Sequence, residues 1–140
     1  MEDRKMKKRK MSKREVMIER IMGQMEAMGC CTYLPKGETD ADFAAEFNGE
    51  IHRIKVKVSK NDKHGVVRFD MNSAARHHGG ADKPDVDYFC LYSVDRNQIY
   101  LVKADEAPKT DLTVRYTRTD NHSSRIRYEK DVKAETVIAH

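Results

Sequence analysis

Ala41–Ser59, ADFAAEFNGEIHRIKVKVS, is the stretch from which the fold is read. Apolar and polar residues alternate on both sides of Asn48-Gly49, a dipeptide that accepts the positive φ angles of a two-residue hairpin turn. Ala41 to Phe47 and Ile51 to Val58 are therefore expected to be antiparallel strands. With Asn48 and Gly49 in the turn, Phe47 faces Glu50, and counting back puts Asp42 opposite Lys55 and Asp40 opposite Lys57. Directly opposed residues share a sheet face. Asp40, Asp42, Arg53, Lys55 and Lys57 then project to one side, and Phe43, Ala45, Ile54 and Val56 to the other, where a core can take them. Two acids and three bases on one face have two readings. One is a set of solvated cross-strand ion pairs, each worth up to about 1 kcal/mol. The other is a site for a metal and a phosphate, where a carboxylate holds a hard cation through oxygen. A neighbouring lysine then orients or deprotonates an attacking water, or offsets charge on the phosphate.

Upstream, Ser12-Lys13-Arg14-Glu15 is a capping box that announces a helix. Met17, Ile18, Ile21, Met22, Met25 and Met28 follow at helical spacing and give one apolar face, read as core, and Gly29 is a stop signal. Cys30 to Leu34 is a short apolar run ended by Pro35 and Gly37. Downstream, Val66 to Phe69 suggests another strand. Residues 70–86 hold few large apolar residues and contain His77-His78-Gly79-Gly80, which reads as a loop with a helical turn. Tyr88 to Val94 is a dense apolar run of the kind found at a sheet centre, turned by Asp95-Arg96-Asn97 into Gln98 to Val102. Thr113 to Tyr116 and Ile126 to Tyr128 are weaker, peripheral strands, and the tail from Glu129 has no clear reading. The pattern predicts an α/β domain: an N-terminal helix on a mixed sheet, with a hairpin carrying the candidate site.

At 140 residues without tryptophan, the chain has material for one lean core, and a single sheet with one or two covering helices suits it. Residues 1–11 read as a basic flexible arm and 12–140 as one domain. Residues 1–14 carry eight Lys/Arg against Glu2 and Asp3, a net +6 in a chain of net +4, so the rest is near neutral. Such an arm suits a polyanion, whose counterions it would release, or serves only to solubilise. Anionic lipid fits less well, because the arm lacks large apolar residues to insert. No apolar run reaches the roughly 20 residues needed to span a bilayer, and the charged start is unlike a secretory signal. Cys30, Cys31 and Cys90 have neither disulfide nor zinc spacing, so reduced thiols and a cytoplasmic location are expected.

The Ala41–Ser59 stretch resembles the signature of the PD-(D/E)XK endonucleases: an aspartate on one strand, a hairpin, then acid-x-lysine on the next. Val86–Pro108, VDYFCLYSVDRNQIYLVKADEAP, is similar to a segment of the small subgroup that includes group I intron homing endonucleases. There, a tyrosine-bearing strand is followed by a second strand and an acidic-Ala-Pro loop. The resemblance runs from about Ser12 to Tyr128. It implies a restriction-endonuclease-like core, a DNA endonuclease dependent on Mg²⁺ or Mn²⁺, and a homodimer or homotetramer. Asp42 then matches the metal-binding aspartate and Lys57 the catalytic lysine. Two residues before that lysine, where the family has Glu, Asp or often Gln, stands Lys55, whose ammonium has no lone pair for a metal. Val56 still offers its carbonyl, and Asp40 or Glu46 is a substitute ligand on the same face. The subgroup's helical glutamate corresponds to Glu15, at the edge of the methionine stripe, or to the more exposed Glu19. Arg53, Arg68, Arg76, His77 and His78 are candidate phosphate contacts, and Arg115, Arg118, Arg125 and Arg127 form another basic patch. Lys55 also supports an alternative, a DNA-binding protein of nuclease fold without cutting activity. An interaction protein whose hairpin charges only pair with each other is the third reading.

Overall fold

The computed structural model describes residues 10–59, 61–63, 65–71, 85–116 and 125–139. The basic arm up to residue 9, together with Arg76, His77, His78 and Arg118, lies outside the described residues.

Helix α1 (Lys13–Ala27) begins as its sequence dictates. Ser12 Oγ accepts from the Glu15 amide at 3.1 Å, and Glu15 Oε1 accepts from the Ser12 amide at 2.9 Å. Two amides at the helix start, which have no partner within the helix, are thereby satisfied. Gly29, at φ +100°, then turns the chain into β1 (Cys31–Tyr33). The predicted hairpin forms as β2 (Phe43–Phe47) and β3 (Glu50–Val58). Asn48 and Gly49 have φ of 53° and 82°, and Phe47 pairs with Glu50 in the expected register.

β3 pairs in parallel with β6 (Tyr88–Ser93), which pairs antiparallel with β7 (Gln98–Lys103), completing a five-stranded sheet of order β1-β2-β3-β6-β7. Between β3 and β6 the chain makes β4 (Asn61–Lys63) and β5 (Val66–Asp70). These strands do not extend the first sheet. With β8 (Asp111–Arg115) and β9 (Ile126–Tyr128) they build a second sheet of order β4-β5-β8-β9, which corrects the expectation of a single sheet. The physical reason lies in their pattern. Apart from Val66 at its start, β5 is apolar at alternate positions, Val67 and Phe69, as β8 is at Leu112 and Val114, so each strand has one face to bury.

The main sheet supplies the surface they need. One side of it, with Phe43, Ala45, Ile54, Val56, Cys90, Tyr92, Ile99 and Leu101, packs under Ile21 and Met25 of α1. The other side presents Phe89, Leu91, Tyr100 and Val102 to Val67, Phe69, Leu112 and Val114 of the second sheet. β6 is buried at every residue because both of its faces are covered, as its unbroken apolar run requires. The C-terminal segment forms two short helices, α2 (Glu129–Val132) and α3 (Ala134–Ile138). Glu129 fastens α2 by accepting from the buried Tyr100 hydroxyl at 3.0 Å and from Arg96 at 2.8 Å, while Arg96 also lies 3.7 Å from the Tyr116 ring centroid. No helix among the described residues is long and apolar enough to cross a membrane.

Candidate active site

The site forms where β2 leaves the sheet. The ladder ends at Phe43 and Ile54, so the expected pairs Asp42–Lys55 and Asp40–Lys57 are not made. Instead the Asp42 amide donates to the Ile54 carbonyl at 2.7 Å, and Asp42 Oδ2 accepts from the Val56 amide at 2.7 Å. A carboxylate here takes the place of a strand carbonyl, which fixes its position against β3 more firmly than a flexible ion pair would. Asp40 turns away, accepting from the Asp85 amide through Oδ2, and Glu46 is exposed and accepts from the Tyr33 hydroxyl. Both carboxylates have partners away from Asp42.

Along β3 the alternation places Ile54 and Val56 in the core beneath α1 and turns Lys55 and Lys57 to the opposite face. On that face the second sheet arrives. Lys57, beside Leu91 in the parallel register, is 7% exposed, whereas Lys55 is half-buried. Burial lowers the pKa of Lys57 below the ordinary lysine value, and the neighbouring Lys55 and Arg14 cations lower it too, while Asp70 and Asp42 pull in the opposite direction.

Arg14 and Asp70 belong to this neighbourhood and escaped the sequence reading. Arg14, in the first turn of α1, donates through one nitrogen to Asp42 Oδ2 at 2.7 Å and to the Val56 carbonyl at 3.1 Å. Its signal in the sequence is electrostatic: a cation in the first helical turn sits at the positive end of the helix dipole and gains from an external acid. Asp70 closes β5, and only the unpredicted second sheet brings that strand end to Lys57.

Glu15 is half-buried and lines, with Glu19, Asp42, Met11, Ile18, Leu34 and Pro35, a cleft of about 490 Å³. It thus has both its expected capping role and a place in the cleft of Asp42. Arg53 is committed elsewhere: its guanidinium meets Asp85 at 2.5 Å and Asp87 at 3.3 Å, and its amide donates to Asp87 at 2.8 Å, fastening β3 to the start of β6. Arg68 is exposed on β5, on the second sheet.

A divalent cation would need converging oxygens. The Asp42 carboxylate and the Val56 carbonyl converge, since a single Arg14 nitrogen reaches both. Hard oxygen donors of this kind suit Mg²⁺ or Mn²⁺ rather than a thiolate-seeking metal. Among the described residues no group of three or more His, Cys, Asp or Glu side chains could hold a metal, so the fit rests on a carboxylate, a carbonyl and water.

A mixed α/β core with a hairpin that presents an aspartate beside a buried lysine is the arrangement of restriction-endonuclease-like nucleases. The family profile described as PD-(D/E)XK endonuclease matches residues 7–135, nearly the whole chain, and the protein belongs to that family. Among solved structures, the chain is similar to a bacterial homing endonuclease, I-Ssp6803I. The TM-score is 0.59 at 18% sequence identity, over 80% of this chain and 81% of that one, a likeness that establishes the shared fold. No curated protein matches.

Proposed function

We propose that the chain is a metal-dependent DNA endonuclease that hydrolyses phosphodiester bonds at the Asp42–Lys57 site. The observation that carries this reading is the convergence of the Asp42 carboxylate and the Val56 carbonyl on one cation position, with Lys57 next along β3. Asp42 and Val56 would hold Mg²⁺ or Mn²⁺, with Glu15 facing the same cleft. The bound cation supplies a polarised phosphoryl oxygen and a water of lowered pKa.

The chain's own residues do the rest. Lys57, held rigidly between the sheets, orients the attacking water and takes up its proton in the fraction of molecules where the amine is neutral. Otherwise its charge offsets that developing on the phosphate. The water oxygen bonds to phosphorus, the bond to the departing sugar oxygen breaks, and that oxygen gains a proton from solvent. Lys55, on the same face, contacts the scissile or adjacent phosphate. The basic arm adds sequence-independent affinity, with Arg68, Arg76, His77 and His78 as further phosphate contacts. Arg53 is the weakest of these candidates, because Asp85 and Asp87 already engage it. Cutting both strands with one short chain calls for a homodimer or homotetramer.

A second reading, a DNA-binding protein of this fold that does not cut, is favoured by Lys55 at the position of an acid and by Arg14 on Asp42. Of two titrations, with salt and with metal, only the second separates the readings. Duplex binding that weakens steeply with salt is expected from both. Strand scission that requires Mg²⁺ or Mn²⁺ and stops with EDTA is expected only from the nuclease, and tight binding without scission favours the second.

A further inference from the structure

We infer that Arg14 is the resident cation of the Asp42–Val56 site: its guanidinium holds the two oxygens in the metal-free protein and must leave before a divalent cation binds there. This rests on the reading of Asp42 and the Val56 carbonyl as a cation site.

The geometry is specific. One Arg14 nitrogen lies 2.7 Å from Asp42 Oδ2 and 3.1 Å from the Val56 carbonyl oxygen, so it stands between the two atoms that a hard cation would take. The same Oδ2 accepts the Val56 amide at 2.7 Å, which keeps the carboxylate aimed at that point whether or not Arg14 is present. A guanidinium and a divalent cation cannot both occupy it, because their like charges would lie within van der Waals contact where water is partly excluded.

Arg14 is suited to exchange. Its side chain is 46% exposed while that of Asp42 is 14% exposed, so the arginine can swing into solvent from the first turn of α1 while the carboxylate stays in place. Its departure would also remove one of the cations that lower the pKa of Lys57. Arg14 is therefore a positioning residue that competes with the metal, and it complements Lys55. Arg14 occupies the cation position and Lys55 stands where the family has an acid or Gln, so the two together predict weak metal affinity in the unaltered protein.

The test is Mn²⁺ titration of the full chain without DNA, read from the paramagnetic resonance signal of the free ion. Arg14→Gln removes the charge and is expected to tighten Mn²⁺ binding at least tenfold, and adding Asp42→Asn is expected to abolish that gain. Arg14→Lys keeps a cation and is expected to stay within about threefold of the unaltered protein, short of the tenfold, 1.4 kcal/mol mark. Circular dichroism and thermal melting establish that each variant is folded. Unchanged or weaker binding in folded Arg14→Gln overturns the inference, as does a gain that survives Asp42→Asn or one of equal size in Arg14→Lys. Because no DNA is present, the result stands apart from catalysis. A tenfold gain with no scission would count against the nuclease reading alone, and unchanged binding with active scission against the exchange alone.

Discussion

Asp42 and Val56 are joined twice over: the Asp42 carboxylate accepts the Val56 amide at 2.7 Å, and Arg14 bridges the same carboxylate to the Val56 carbonyl. The aspartate of the site is thus also the residue that satisfies a core strand where β2 departs. Asp42→Ala should cost about 1–3 kcal/mol of stability, because it strands the Val56 amide. Asp42→Asn should cost less, since its side-chain carbonyl can still accept. Urea denaturation of the two variants measures the difference.

Lys57 should carry a stability penalty. Its folded-state pKa lies below its unfolded value, so the unfolded chain binds more protons between the two values and stability rises with pH across that window. Below the folded value the penalty is fully present, and above the unfolded value it is gone. Lys57→Met, of similar length, should therefore stabilise the protein by about 1 kcal/mol at neutral pH, with the gain fading as pH rises toward the unfolded lysine value of 10.5 and gone above it. Chemical denaturation at pH 7 and in the alkaline range reads this directly. Asp70→Asn removes an anion that raises the Lys57 pKa, so it should depress that pKa further, visible by NMR of the lysine ε-methylene.

Much of this site was legible in the sequence, and what was missed has definite causes. The capping box, Gly29 and Asn48-Gly49 are local signals, satisfied within a few residues, and they fixed α1 and the hairpin register. The register put Asp42 and Lys57 on one face with Asp40, Arg53 and Lys55, and only the resemblance to the nuclease family singled those two out; the cross-strand pairs do not form, although the alternation along β3 holds after β2 leaves the ladder. Arg14 and Asp70 depended on long-range packing. The contact of Arg14 with Asp42 spans 28 positions in the chain, and the place of Asp70 depends on β5 joining a second sheet. One-sided strands such as Val66–Phe69 announce a face to be buried but not which surface will cover it.

The Arg53–Asp87 contact should make stability fall in acid. Burial alone would raise the Asp87 pKa, but the Arg53 guanidinium and amide outweigh it and hold the carboxyl below its ordinary value. The associated stability is present above the unfolded value, near pH 3.9, and is lost as pH falls through the folded one. Asp87→Asn should cost about 1 kcal/mol at pH 7 and flatten the acid limb of the stability curve, measured by thermal melting from pH 2 to 7.

The thiols should react unequally. Cys31 is exposed, whereas Cys30 and Cys90 are buried and burial raises the pKa of both. A disulfide reagent at pH 8 should label Cys31 rapidly in the native protein, with the other two following only on unfolding. Mass spectrometry of the labelled peptides identifies the site.

The most direct test of the nuclease reading is scission of a panel of plasmid and branched DNA by the unaltered chain, Asp42→Asn and Lys57→Met, with Mg²⁺, Mn²⁺ or EDTA. Cutting by the unaltered chain that requires the metal and falls at least a hundredfold in each variant is the predicted result. Metal-dependent cutting that persists in Asp42→Asn, or an unaltered chain that binds the panel tightly without cutting it, would contradict it.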